Sequence, residues 1–350
     1  MTKETCCIVD HQKMKSMHNA GLLPSKFNQP LYALWEITYA CPLKCIHCYN
    51  HSGEAPLKHK SVEETVKIAH QLGESGVFGV CLSGGEPSMH PAFFEVARIL
   101  RHEYKVNVGT PTNGYNITAN KAEKMLDLFS LIQVSVDGAD AATHDYIRAV
   151  KGSFNQAINT VSLLNDLLES RTEESSPMLA IALAANSLNY HQVENLVDRV
   201  FSEYPNLKEV RVQPQVPSGR GVESDLLLSL DQQQEVEDKA AQLTKKWGKL
   251  VRYENPMVHI WKALEGWPWE TMVIDPYGKV RFSPWLPGNV GSLDEESLDS
   301  IWENKLSTIH KDPDFIQVLS RLHSVNDAGK AYHSLESIFG TFGGKRPVHA

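Results

Sequence analysis

A chain of 350 residues, 42% hydrophobic, 22% charged and with a formal charge of −8, has room for a barrel plus an appendage and is too acidic to favour nucleic acid. No apolar run is long enough to span a bilayer, and Lys3, Asp10, Lys13 and Lys15 occupy the region where a signal peptide would be apolar, so a cytoplasmic protein is expected. Six cysteines, three of them clustered, do not make a disulfide framework and suit a reducing interior.

The segment over 1–30 has no clear period and reads as an arm, in which Cys6 and Cys7 are ordinary reduced thiols without a role. Leu31 to Thr38 then alternates Leu31, Ala33, Trp35 and Ile37 against Tyr32, Leu34, Glu36 and Thr38, a strand period that runs directly into Cys41-Pro-Leu-Lys-Cys45-Ile-His-Cys48-Tyr49. Ser61-Val-Glu-Glu64 forms a capping box that opens a helix, and Gly73 with Gly76 closes it before a strand over 77–82. Helices over 91–103, 119–128, 155–170, 191–204 and 231–247 alternate with strands over 105–110, 131–136, 179–184 and 209–213. Six strands alternating with six helices imply a parallel sheet with right-handed crossovers, too few units for a closed eightfold barrel. The expected fold is α/β, a partial (β/α)6 TIM-like barrel over 31–247.

Three thiolates at this spacing can ligate three corners of a [4Fe–4S] cube and leave the fourth iron open for a ligand, whereas four would close the cluster for electron transfer. Structural zinc would need a second Cys pair or a His pair at regular spacing, and nothing after Cys48 supplies one; His51, His59 and His70 have no metal-like spacing. In parallel βα folds the carboxyl ends of the strands build the site. Here they carry Ser83-Gly84-Gly85-Glu86-Pro87, Thr110-Pro-Thr112-Asn113-Gly114 and Ser135-Val-Asp137-Gly138. Paired glycines let backbone carbonyls approach a ligand closely, and a carbonyl-rich edge beside Glu86 suits an ammonium group rather than a phosphate.

This order of motifs resembles the radical S-adenosylmethionine (SAM) superfamily. The resemblance implies that Cys41, Cys45 and Cys48 ligate one [4Fe–4S] cluster, whose open iron chelates SAM and whose electron cleaves it to methionine and a 5′-deoxyadenosyl radical. It further implies that the edge formed by Ser83, Gly84, Gly85 and Glu86 holds the methionine amine and that His47 lies near adenine, where Phe or Tyr is more usual. Asn113, Ser135, Asp137 and Arg148 become cofactor contacts, with Arg148 at the SAM carboxylate unless it is a surface arginine. Asn189 and Gln213 are carried over in the same way. Cys81 shares a strand face with Ser83 and could donate a hydrogen atom, but a core thiol is the favoured reading.

Ile274 to Phe282 reads as a hairpin, and Gly288-Asn-Val-Gly-Ser-Leu293 with Ser297-Leu-Asp-Ser-Ile-Trp302 resembles the SPASM domain of radical SAM peptide and cofactor maturases. No cysteine follows Cys81, and Phe282-Ser283-Pro284-Trp285 stands where that domain places its first auxiliary ligand. Residues 248–350 are therefore expected to form a small α+β SPASM-like cap without auxiliary clusters. Trp261, Trp267, Trp269 and Trp285 could line a peptide groove, though the core of that cap is the favoured place for them. The implied activity is modification of a ribosomally made peptide by epimerisation, carbon–carbon cleavage including backbone excision, or a carbon–carbon crosslink. The alternatives are maturation of a small molecule or tetrapyrrole, and a non-enzymatic iron–sulfur electron carrier. No leader-binding domain precedes Leu31, so the expected partners are a separate leader-recognition protein and a flavodoxin- or ferredoxin-type reductant.

Overall fold

The computed structural model describes residues 11–54, 58–172, 176–222, 224–329 and 335, so Cys6 and Cys7 lie outside the described residues. Helix α1 (His11–Asn19) precedes β1 (Tyr32–Thr38), on which Ala33, Trp35 and Ile37 are buried. After the cysteine loop, Ser61 and Glu64 form the expected capping box of α2 (Val62–Glu74), and β2 (Gly79–Gly84) follows. Helix α3 (Phe93–Arg98) is prolonged by a π turn over Ile99–Glu103, and Lys105 adopts φ +60°, so β3 (Asn107–Thr112) starts two residues later than its period suggests.

Next come α4 (Ala119–Leu128), β4 (Leu131–Ser135), α5 (Ala141–Arg148), α6 (Ser153–Glu169) and β5 (Met178–Ala185). The barrel part ends with α7 (Val193–Glu203), β6 (Leu207–Pro214), α8 (Leu230–Trp247) and β7 (Leu250–Tyr253). The last segment contributes α9 (Val258–Leu264), β8 (Thr271–Ile274), β9 (Lys279–Arg281), β10 (Asn289–Ser292), α10 (Leu298–Ile301) and α11 (Pro313–Leu319).

All ten strands form one open sheet in the order β10-β9-β8-β1-β2-β3-β4-β5-β6-β7. Neighbours from β1 to β7 pair in parallel, which is the partial TIM-like barrel, but with two more parallel strands than the six expected. One is β7, only four residues long and hence without a readable period. The other is β8, which opens the expected hairpin and pairs in parallel with β1, Tyr32 opposite Thr271 and Trp35 opposite Ile274. The carboxyl-terminal hairpin thus continues the barrel sheet instead of forming a sheet of its own.

Apolar positions three and four apart seat the helices on the sheet: Ala157, Val161, Leu164 and Leu168 on α6, and Val193, Leu196, Val197 and Val200 on α7. Against β8 and β9, Trp269 meets Phe282 and Phe315 edge-on at centroid distances of 6.2 and 5.9 Å. Among the described residues no helix is long and apolar enough to cross a membrane.

Candidate active site

A cavity of about 310 Å³ opens at the carboxyl ends of the parallel strands, and Cys41, Cys45 and Cys48 line it together with Gly84, Gly85 and Ser135. His47, Ser83, Cys81, Asn113, Arg148 and Gln213 also face it. Cys81 is therefore a cavity residue rather than the core thiol favoured from sequence. Among the four tryptophans, Trp267 and Trp269 are buried, whereas Trp285 faces the cavity and meets the Tyr49 ring edge-on at 4.8 Å.

The cysteine loop is held on both sides. Ile46 donates its N–H to the Ile147 carbonyl of α5 at 3.0 Å, and Arg220, after β6, donates Nε to the Cys45 carbonyl at 2.9 Å and Nη2 to the Ser52 carbonyl at 2.7 Å. Each sulfur has a polar neighbour: Asn113 Nδ2 donates to Cys41 Sγ at 3.5 Å, Arg148 Nη1 to Cys45 Sγ at 3.8 Å, and Cys48 Sγ to Asn50 Oδ1 at 3.1 Å. Among the described residues no three His, Cys, Asp or Glu side chains group as they would around a single metal ion. In a cube each thiolate would meet a different iron, and N–H donors such as those at Cys41 and Cys45 are of the kind that stabilise ligating thiolates.

Gly84 and Gly85 make the edge of β2 possible. Gly84 has φ +119°, and a Cβ there would stand 2.1 Å from the Thr38 carbonyl oxygen; at Gly85 it would stand 2.3 Å from that of Ala40. Gly84→Ala should therefore cost about 2–5 kcal/mol, from backbone strain plus overlap, read as a lower midpoint in urea unfolding.

Glu86 and Asp137 serve the edge from behind it. The Glu86 carboxylate is buried and accepts the Asn113 N–H at 2.8 Å, the Ser88 hydroxyl at 2.8 Å and the Thr112 hydroxyl at 3.1 Å, so it ties β2 to β3. Asp137 is also fully buried: His47 Nε2 donates to Oδ2 at 2.7 Å, Arg148 Nε stands 2.6 Å from the same oxygen, and Oδ1 accepts the Ala184 N–H at 2.9 Å. Burial pushes the Asp137 carboxyl up, but the Arg148 guanidinium and His47 outweigh it and hold it well below the usual carboxylate range. Arg148 is only 11% exposed, which removes the surface-arginine alternative. Asn189 does not face the cavity; its Nδ2 donates to the Asp137 and Ala184 carbonyls at 3.0 Å and so braces the ends of β4 and β5.

Sequence reasoning missed a second buried charge centre. Glu36, on the barrel face of β1, binds Arg281 of β9, accepts the Tyr39 hydroxyl at 2.9 Å and accepts Asn50 Nδ2 at 3.1 Å. A glutamate between apolar neighbours of a strand flanking a cysteine loop was the available signal. Nearby, burial pushes the Asp275 carboxyl up to about 6, and Arg281 with the N–H groups of Lys279 and Tyr277 restores only part. An acid whose folded value is raised binds its proton more tightly folded than unfolded. Its stabilising contribution is complete below about pH 4, the unfolded value, and is lost as pH rises through about 6. Asp275→Asn should therefore raise stability at pH 7 by roughly 2 kcal/mol, with the gain fading toward pH 4 in parallel urea melts.

The Radical SAM superfamily model matches residues 35–198, from β1 through α7. The chain is 26% identical over 297 residues to the antilisterial bacteriocin subtilosin biosynthesis protein AlbA of Bacillus subtilis, covering 82% of this chain and 62% of AlbA. It is 30% identical over 212 residues to the mycofactocin maturase MftC of Mycolicibacterium smegmatis, covering 60% of this chain and 51% of MftC, so it spans between half and two thirds of these relatives. An AdoMet-dependent heme synthase of Methanosarcina barkeri is 26% identical over 311 residues, with 79% and 83% covered. Among solved structures, Streptococcus suis SuiB bound to precursor peptide SuiA has the same fold, with a TM-score of 0.67 at 15% identity over 89% of this chain and 74% of SuiB. With a cysteine loop at the end of the first strand of such a barrel, and a family match that begins on that strand, residues 35–198 form a radical SAM domain.

Proposed function

We propose that this chain binds one [4Fe–4S] cluster and SAM in the barrel mouth and modifies a ribosomally made peptide there. The observation that carries the proposal is that Cys41, Cys45 and Cys48 share one cavity with the Gly84–Gly85 edge, and among the described residues no carboxylate side chain lines it. The three cysteines would hold the cluster, which when bound supplies the electron that splits SAM into methionine and a 5′-deoxyadenosyl radical. The carbonyls freed at Gly84 and Gly85 would accept the methionine ammonium. Ser83, Asn113 and Ser135 offer polar atoms along the same wall, and Arg148 offers its guanidinium beside Cys45. His47 faces the cavity with its ring fixed by Asp137, so Asp137 and Glu86 act by orienting the wall rather than by touching the cofactor. Leu43, Val216 and Trp285 close the cavity with apolar surface that keeps water from the reacting groups.

A peptide substrate is supported by the name of AlbA, a bacteriocin biosynthesis protein, and by the SuiB complex with its precursor peptide. A separate leader-recognition protein and a flavodoxin- or ferredoxin-type reductant complete the reading, in a cytoplasmic setting. The absence of cysteine after Cys81 favours epimerisation, carbon–carbon cleavage or a carbon–carbon crosslink over chemistry that needs a second cluster. The similarity to the heme synthase supports a second reading, a tetrapyrrole or other small-molecule substrate. The test is anaerobic incubation of the iron-loaded protein with SAM, dithionite and a peptide encoded beside its gene. 5′-Deoxyadenosine with a changed peptide mass, or solvent deuterium at an α-carbon, is the expected result. 5′-Deoxyadenosine with an unaltered peptide and an altered porphyrin would favour the second reading, and no 5′-deoxyadenosine under any condition would defeat both.

A further inference from the structure

The cavity floor carries two polar side chains, Arg211 and Gln133, that nothing in the cofactor assignment uses, beside Gln213, which the family resemblance offers as a cofactor contact. Arg211 lies two residues before Gln213 on β6, on the same strand face and so roughly 7 Å deeper, and Gln133 reaches the cavity from β4. The side-chain amides of Gln133 and Gln213 make no hydrogen bond to the protein among the described residues, although both face this cavity. Polar groups placed on the inner face of a barrel without partners call for a polar ligand.

Arg211 is the cation of that floor. Its Nε stands 3.4 Å from Glu209 Oε1 and 3.3 Å from Glu254 Oε2, longer than the 2.7–2.9 Å usual for a tight guanidinium–carboxylate contact. Glu209 is shared, since Arg252 Nε takes the same oxygen at 2.9 Å. The terminal nitrogens of Arg211 hydrogen-bond to no described residue. The other two arginines that line the cavity are occupied, Arg148 by Asp137 and Cys45, and Arg220 by the Cys45 and Ser52 carbonyls and Glu54.

We propose that Arg211, with Gln133 and Gln213, forms a carboxylate-binding subsite on the cavity floor that selects and orients the peptide. The subsite rests on the peptide reading above and gives it a substrate class: a peptide bearing an acidic side chain, or a free carboxyl terminus, next to the residue that is modified. A guanidinium with two free terminal nitrogens meets a carboxylate in a planar, two-point contact, which a lysine ammonium cannot reproduce. Glu209 holds the guanidinium plane in place from behind while sharing its own charge with Arg252.

The test uses the iron-loaded protein with SAM and a randomised peptide library, prepared once with free and once with amidated carboxyl termini. Wild type should retain peptides enriched for Asp or Glu at one position in both libraries if the side chain is the source, or only from the free library if the terminus is. Arg211→Gln should lower that enrichment about tenfold or more, the loss of a charged hydrogen bond, and Arg211→Lys should keep part of it. Iron content and SAM affinity of Arg211→Gln, measured separately, should match wild type. The proposal is overturned if acidic enrichment survives in Arg211→Gln, if peptides are retained without carboxylate preference, or if the variant loses SAM binding. Retention of no peptide by a protein that binds SAM would instead defeat the peptide reading, and this subsite with it.

Discussion

The variant carrying Cys41→Ala, Cys45→Ala and Cys48→Ala should hold no cluster iron after anaerobic reconstitution, whereas the wild-type chain should hold about four irons, the content of one cube. The loss should be complete because the change removes all three thiolates of the loop. The fold should survive it. The loop is anchored by backbone bonds from Arg220 and to Ile147, while the core is built from the sheet and from helices such as α6 and α7. Far-ultraviolet circular dichroism should therefore be unchanged while the cluster absorbance near 400 nm, roughly where thiolate-ligated clusters absorb, is absent. Eight or more cluster irons in wild type would overturn the inference drawn from the lack of cysteine after Cys81.

The loop, the glycine edge and the alternation of strands and helices were legible because each rests on local chemistry. Ser61 and Glu64 cap a helix by contacts three residues apart, and Leu31 to Thr38 shows a strand period within eight residues. What the sequence hid is what depends on distant partners. The pairing of β8 with β1 joins Thr271 to Tyr32, and no pattern within Thr271–Ile274 states its neighbour. Helix α5 was hidden for a local reason, since Asp140 caps it through the Thr143 N–H at 2.9 Å but the eight residues that follow carry little apolar period. Arg148 could not be told from a surface arginine until Asp137 and Cys45 were brought beside it. Glu86 looked like a ligand for an amine, and its carboxylate instead spends its lone pairs on Ser88, Thr112 and Asn113.

Arg281→Met should destabilise the protein by about 3–5 kcal/mol, because it leaves the Glu36 carboxylate buried without its cation. The reverse change, Glu36→Gln, should cost less. Arg281 would still have Asp275 beside it, whereas Glu36 without Arg281 keeps neutral donors, Tyr39, Tyr49 and Asn50, and no described cation. The pair closes the seam at which the last hairpin joins β1, and through Asn50, whose Oδ1 accepts the Ser52 N–H at 3.2 Å and hydroxyl at 2.6 Å, it reaches the end of the cysteine loop. Loss of the pair should thus loosen the cysteine loop as well as the sheet edge, so iron should be released from Arg281→Met faster than from wild type. Replacing both partners, Glu36→Leu with Arg281→Met, should recover part of the stability, since an apolar pair avoids the unpaired buried charge. It should not recover iron retention, because a leucine side chain in place of Glu36 cannot accept from Asn50. Urea melts of the three variants, with iron release timed by a chelator, decide the matter. A cost under about 1 kcal/mol for Arg281→Met, the range of an exposed ion pair, would mean that water reaches the seam and that the pair does not hold it.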